Sequence, residues 1–267
     1  MNSTPSVELY QMLNPDLKRL KPYPFEQLAA LFAGVEAPEG LKPIPLSIGE
    51  PQHAPPQFVL DALTDNMGLI AKYPTTKGTD TLRETIASWL NQRFSLQNAA
   101  VDPETQVIPV NGTREAIFAA VQAAADRSRG GLVVMPNPFY QIYEGAAVMA
   151  GADLKLLPCL AEFGHQPDYL SLSDSDWDQC NLLYICNPGN PAGGVLPRET
   201  LVHLIKKAQL HDFVLVADEC YSEIYGDEDA PPFGLLQICA ELGDHEYANC
   251  LIFQSLHPQS YSSILFS

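Results

Sequence analysis

Hydrophobic positions recur at helical spacing in two stretches, Phe58–Met67 and Thr81–Phe94, where Leu82, Ile86, Trp89 and Leu90 form one stripe. Beyond them the rhythm shortens. Six apolar runs follow: Val107–Val110, Leu132–Met135, Leu154–Leu157, Leu182–Cys186, Phe213–Ala217 and Leu251–Phe253. Most are closed by Asn or Pro and lead into a helical stretch. Strands that alternate with helices make βαβ units with right-handed crossovers. The pattern predicts an α/β fold with a mostly parallel sheet covered on both faces. The first sixty residues differ, holding ten of the 23 prolines and one amphipathic segment, Phe25–Val35. Each proline fixes φ and lacks an N–H donor, so this region predicts an arm or inter-domain crossing.

Composition removes several function classes. The 267 residues are 46% hydrophobic and 18% charged, which is globular and excludes a disordered chain. A formal net charge of −17 gives no general attraction for nucleic acid or anionic lipid. The six cysteines include no Cys-x-x-Cys pair, and several sit in or beside apolar runs as small hydrophobes. The N-terminal stretch carries Glu8 and no apolar leader, and no apolar run approaches the ~20 residues of a membrane span. These features predict a soluble, cytoplasmic protein. No metal site is expected. Asp174, Asp176 and Asp178 open like a calcium loop, but Gln179 and Ile185 stand where Gly and Glu are needed, so the segment reads as a solvated acidic loop. The six histidines show no metal spacing. Gly189…Gly194 has P-loop spacing but is followed by Val195 instead of Lys.

In open α/β sheets, ligands bind at the carboxyl ends of the strands, so the residues after each run carry the chemistry. After Val107–Val110 come Asn111, Gly112 and Thr113, where Asn111 can cap a helix and Gly112 lets an anion approach free backbone N–H groups. After Leu132–Met135 come Phe139 and Tyr140, able to stack on a planar ligand or simply to fill core. After Leu182–Cys186 a stiff Pro/Gly turn presents the Asn190 amide. Asp218 closes an almost wholly apolar strand, and a carboxylate buried there needs a cationic or donor partner. Ser255 follows the last run and either takes a phosphate or ends a strand. Together these ends describe an anion cradle, a stacking ring, an amide donor and a buried acid.

In this order the motifs resemble the class I/II aminotransferases, which use pyridoxal 5'-phosphate (PLP). They are Asn111-Gly-Thr, Pro138-Phe-Tyr, Asn187-Pro-Gly-Asn-Pro-Ala-Gly, Asp218-Glu-Cys-Tyr and Ser255-Leu. The upstream segments Leu46-Ser-Ile-Gly-Glu-Pro and Tyr73-Pro-Thr-Thr-Lys-Gly fit the same family. Asn14-Pro-Asp-Leu, Pro109-Val-Asn-Gly-Thr-Arg-Glu and Met135-Pro-Asn-Pro-Phe-Tyr-Gln-Ile-Tyr-Glu-Gly look like its succinyldiaminopimelate branch, in lysine biosynthesis. The resemblance runs from about residue 12 to Leu256. It implies the three-layer α/β/α large domain of fold type I. The implied organisation is an arm and part of a small domain at 1–56, a PLP-binding large domain at 57–256, and an unrelated tail at 257–267.

The resemblance also implies roles. Asp218 pairs with the pyridine nitrogen, Asn190 and Tyr221 donate to the phenolic oxygen, and Tyr140 stacks on the ring. Gly112, Thr113, Arg114 and Ser255 hold the phosphate. Tyr73 reaches the phosphate of the partner subunit, which implies a homodimer. Gly49 and Asn190 lie on the substrate side, and the substrates are an amino acid such as glutamate and a keto acid.

The pattern then departs from the family. Pro258 stands where the Schiff-base lysine belongs, so the catalytic position carries no amine. The family's antiparallel last strand of the large domain, which lies beside the first, is expected to be missing, leaving unpaired backbone groups facing each other. Three functions are consistent with this. One is an aminotransferase whose present chain is catalytically incomplete; another is a non-catalytic PLP-binding or dimerisation protein; the third is a PLP-dependent lyase on the same fold.

Overall fold

The computed structural model describes residues 13–36, 38–41, 44, 54–129, 131–255 and 263–266. Three helices precede the sheet: α1 (Pro24–Phe32), α2 (Gln57–Asp65) and α3 (Asp80–Arg93). The alternation predicted from the apolar runs then follows. It comprises β1 (Val107–Val110), α4 (Thr113–Ala124), β2 (Leu132–Asn137), α5 (Gln141–Met149) and β3 (Asp153–Leu160). It continues through the two-residue β4 (Gln166–Pro167), α6 (Asp174–Gln179), β5 (Cys180–Cys186) and α7 (Arg198–His211). The last elements are β6 (Val214–Asp218), α8 (Leu235–Glu241), β7 (Cys250–Ser255) and β8 (Ser263–Phe266). All six predicted strands are present.

They join one eight-stranded sheet in the order β1-β8-β7-β6-β5-β2-β3-β4. Strands β7, β6, β5, β2 and β3 run parallel, and β4 turns back antiparallel at the edge. Successive residues of the central strands feed opposite faces. Val134, Leu183, Ile185, Leu215, Ala217 and Ile252 pack with α3, α7 and α8 on one side. Val133, Met135, Leu182, Tyr184, Val216 and Phe253 pack with α4 and α5 on the other. That period of two, buried on both faces, is why each strand reads as an unbroken apolar run.

The tail corrects one expectation. Residues 263–266 form a strand between β1 and β7, antiparallel to both, with Val107 opposite Phe266 and Val110 opposite Ser263. On the other side Ile252 faces Phe266 and Ser255 faces Ser263. The place expected to be empty is filled. The gap between two strands with inward-facing N–H and C=O groups is one that only another strand satisfies, and Ile264 and Phe266 are strong strand formers.

Three local readings also change. Asn111 does not cap α4: the N-cap is Gly112, with φ +156°, and no side chain bonds the first turn. Asn111 lies one residue too early. The acidic segment is helix α6, not a loop. Ser173 accepts from Asp176 N–H at 3.3 Å, and the Asp176 carboxylate accepts from Ser173 N–H at 2.8 Å. This capping box seats Trp177, which stacks on Phe213 at 5.8 Å. Ser173→Ala should cost about 1 kcal/mol, seen as a lower urea midpoint at unchanged slope. Finally, the stripe of α2 faces outward, with Phe58 72% and Leu63 63% exposed.

The proline-rich arm carries a 3-10 turn at Pro15–Arg19 and α1, and lays no strand among its described residues. It is tied to the β2–α5–β3 side by Arg127 on Asp16 at 2.8 Å and Lys21 on Glu144 at 2.7 Å. No helix among the described residues is long and apolar enough to cross a membrane.

Candidate functional site

Asp218 sits at the carboxyl end of β6, 6% exposed. Burial pushes its carboxyl above the ordinary range, and the Tyr143 hydroxyl, which donates to one carboxylate oxygen, opposes that rise. The other oxygen faces the Cys220 backbone N–H at 3.4 Å. Tyr143 comes from the first turn of α5 and lies flat on the Tyr184 ring of β5, with centroids 4.2 Å apart and planes 10° apart. Tyr140, one helical turn earlier, meets Tyr143 edge-on at 5.8 Å. The buried acid therefore stands on an aromatic floor supplied by two elements.

Around it several strand ends converge. The Asn190 amide donates to the Tyr221 hydroxyl at 2.8 Å, joining the turn after β5 to the segment after β6. Arg114 Nε donates to the Tyr140 hydroxyl at 2.7 Å, joining the starts of α4 and α5. Thr113 opens α4 beside the Cys220 thiol. Gly112 takes a φ of +156°, a conformation that residues with a Cβ rarely adopt, and the flexible Glu115 carboxylate lies beside its α-carbon at this helix start. A negative group held there lies at the positive end of the α4 dipole. Ser255 ends β7, two residues past Phe253, which pairs with Asp218.

Not every candidate joins this group. Tyr73, between α2 and α3, is 97% exposed. Gly49 and Pro258 lie outside the described residues.

The structure adds residues that the motifs did not single out. Glu219, 1% exposed, accepts from Leu235 N–H at 2.6 Å and from the Gln254 amide at 2.8 Å, and Gln254 in turn accepts from Ser222 Oγ at 3.0 Å. Burial pushes the Glu219 carboxyl up to about 7. Asn187 locks the turn that carries Asn190: its amide donates to Phe233 O at 2.9 Å and its oxygen accepts from Leu196 N–H at 2.9 Å. Burial also raises the Cys186 thiol, to about 12, leaving it a neutral wall of the site. The sequence signal for Asn187 and Glu219 is a polar residue at the end of an apolar strand; Tyr143, three residues past Tyr140, carries none that separates it from a core-filling tyrosine.

The arrangement suits a planar cofactor with an anionic tail: a carboxylate under the ring, donors at its edge, an aromatic at its face, and a helix start for the anion. Residues 42–256 match the family model described as aminotransferase class I and II. The LL-diaminopimelate aminotransferase of Maridesulfovibrio salexigens is 32% identical over 223 residues, covering 83% of this chain and 56% of that protein. Among solved structures, an aminotransferase from Neisseria meningitidis superposes with a TM-score of 0.87 at 38% identity, over 95% of this chain and 65% of that one. The aminotransferase AspB from Helicobacter pylori gives 0.83 at 33%, over 93% and 65%. This chain thus spans a little over half the length of the curated relative and about two-thirds of the solved ones.

Proposed function

The chain belongs to the class I and II aminotransferases, a PLP-dependent family, and from that membership we propose that it carries the cofactor-binding part of an amino-group transfer site. The observation that supports this best is Asp218. A carboxylate buried at a strand end, with donors on both oxygens, is costly unless a cation completes it. The protonated nitrogen of a PLP ring is such a cation. When bound, PLP supplies an electron sink for the bonds at an amino acid's α-carbon.

The chain's own residues divide the work. Asp218 keeps the proton on the ring nitrogen, because a neighbouring carboxylate favours the charged form of a base. Asn190 and Tyr221 donate to the phenolic oxygen, and Tyr140 covers one ring face. Gly112, Thr113, Arg114 and Ser255 take the phosphate at the start of α4. Tyr73, exposed here, completes the phosphate site of a second copy in a homodimer, and Gly49 with Asn190 borders the substrate.

The substrates we assign are an amino acid such as glutamate and a long dicarboxylic keto acid of diaminopimelate and lysine biosynthesis, in the cytoplasm. The curated relative is named for LL-diaminopimelate. The residue motifs favour a succinylated form of the same skeleton.

Pro258 favours a second reading of the same site, in which the chain holds PLP without a covalent bond and turns over nothing alone. Both readings meet one experiment. The chain is titrated with PLP, reduced with borohydride and digested. We expect saturable near-ultraviolet circular dichroism from the bound ring and no phosphopyridoxyl-lysine. A single modified lysine would reveal a substitute amine and return the chain to the catalytic class. No saturable signal at all would remove the cofactor reading.

A further inference from the structure

We propose that Tyr143 is a positioning residue for Asp218, holding the carboxylate ionised and turned so that one oxygen stays presented to a cofactor ring nitrogen. The inference rests on the cofactor reading above and deepens it.

Three observations carry it. The Tyr143 hydroxyl is buried and donates to one oxygen of Asp218, the other oxygen meets the Cys220 backbone N–H at 3.4 Å, and the Cys220 thiol also reaches the carboxylate. One oxygen is therefore fixed by a strong phenolic donor, and the rest of the carboxylate, held only by the long Cys220 N–H contact and a weak thiol donor, stays available to a ligand. The Tyr143 ring cannot swing, because it is stacked on Tyr184 at 4.2 Å and 10° and braced at its edge by Tyr140 at 5.8 Å. Tyr184 itself bonds nothing through its buried hydroxyl among the described residues, so Tyr143 alone of the stacked pair serves the acid.

The charge balance explains why a donor is needed. The groups near Asp218 are Tyr143 from α5, Tyr184 and Cys186 from β5, and Glu219, Cys220 and Tyr221 from its own segment. None of these is a cation. Desolvation therefore drives Asp218 toward its neutral form, and the Tyr143 hydrogen bond opposes it. A neutral Asp218 could not pair with a protonated ring nitrogen.

The test reads cofactor affinity against pH in the full chain, using PLP as probe and its induced circular dichroism as signal. Affinity should fall as pH drops through the Asp218 titration. In Tyr143→Phe that fall should move to higher pH by about one unit, with affinity roughly tenfold weaker at the acid end. The two chains should converge at alkaline pH, where both carboxylates are ionised. Tyr184→Phe, which keeps the stack and removes an unbonded hydroxyl, should retain the wild-type midpoint. If Tyr143→Phe gives no cooperative melt, Tyr143→His takes its place: its ring N–H restores a donor and, when protonated, sets a cation beside the carboxylate, so the fall in affinity must not move to higher pH. A midpoint raised above wild type there, or a Tyr143→Phe profile superimposable on wild type, overturns the inference while leaving the cofactor reading intact. No saturable signal from the wild-type chain overturns both, and loss of binding only in Asp218→Asn confirms the cofactor reading without Tyr143.

Discussion

A chain ended after Leu256 is expected to lose solubility, because it lacks the strand that joins β1 to β7. Four residue pairings to β1 and four to β7 disappear together. At about 1 kcal/mol for each net hydrogen bond, the loss amounts to several kcal/mol, a large share of the roughly 5–15 kcal/mol that separates folded from unfolded domains. Two strands would then expose unpaired N–H and C=O groups toward each other across an open slot, a ready template for a strand of another chain. Size-exclusion chromatography with light scattering on the two chains, and melting curves beside it, measures this. Aggregates, or a melt lowered by ten degrees or more, are expected (on the order of 2–4 °C per kcal/mol at this size). A shortened chain as monodisperse as the full one, melting at the same temperature, would show that residues 257–267 leave the sheet unaffected.

Raising the pH from 4.5 toward 8 should weaken the fold through Glu219, and Glu219→Gln should remove that dependence. Burial raises the folded-state carboxyl from 4.5 to about 7. The folded chain therefore holds a proton that the unfolded chain has released between these values. The stability Glu219 contributes is fully present below pH 4.5 and is lost as pH rises through 7. A displacement of this size corresponds to about 3 kcal/mol at 1.36 kcal/mol per unit. Glutamine can keep the network by reversing it: its oxygen accepts from Leu235 N–H, its amide donates to Gln254 turned over, and Ser222 accepts in place of donating. Denaturant titrations at pH 5 and pH 8.5 should show the variant gaining on the wild type across the interval. Parallel curves for the two proteins would place the titration elsewhere.

The sequence made the sheet legible because its strands are buried on both faces, so Leu182–Cys186 and Phe213–Ala217 carry no polar interruption until they end. Two strands escaped that logic. The pair Gln166–Pro167 is too short for any period to register. Ser263–Phe266 follows a stretch with no family counterpart, and its place is set by the groups it satisfies on β1 and β7 instead of by its own pattern. In the site, Asp218 and Asn190 are readable as polar residues stationed where strands stop, whereas Tyr221 enters through the family resemblance alone. Tyr143 is not readable, since a tyrosine on a helical stripe reads as filler until its hydroxyl is seen against a carboxylate. Asn111 misled for the opposite reason. Its type is right for a cap, yet the glycine after it takes the cap position.

The position of β8 has a kinetic side. Its partner β1 begins at residue 107, and β8 begins at residue 263. Closing a loop of about 150 residues costs only modestly more entropy than closing one of 75, but it cannot begin until the later segment exists. At roughly 5–20 residues per second, synthesis leaves the β1 edge waiting about ten seconds or longer for its neighbour. During that interval β7, β6, β5, β2 and β3 can already assemble by successive right-handed crossovers, while β1 stays without a strand beside it. A chaperone that shields nascent chains would thus matter most for residues 107–110, the first strand of this sheet to be made and one of the last to be paired.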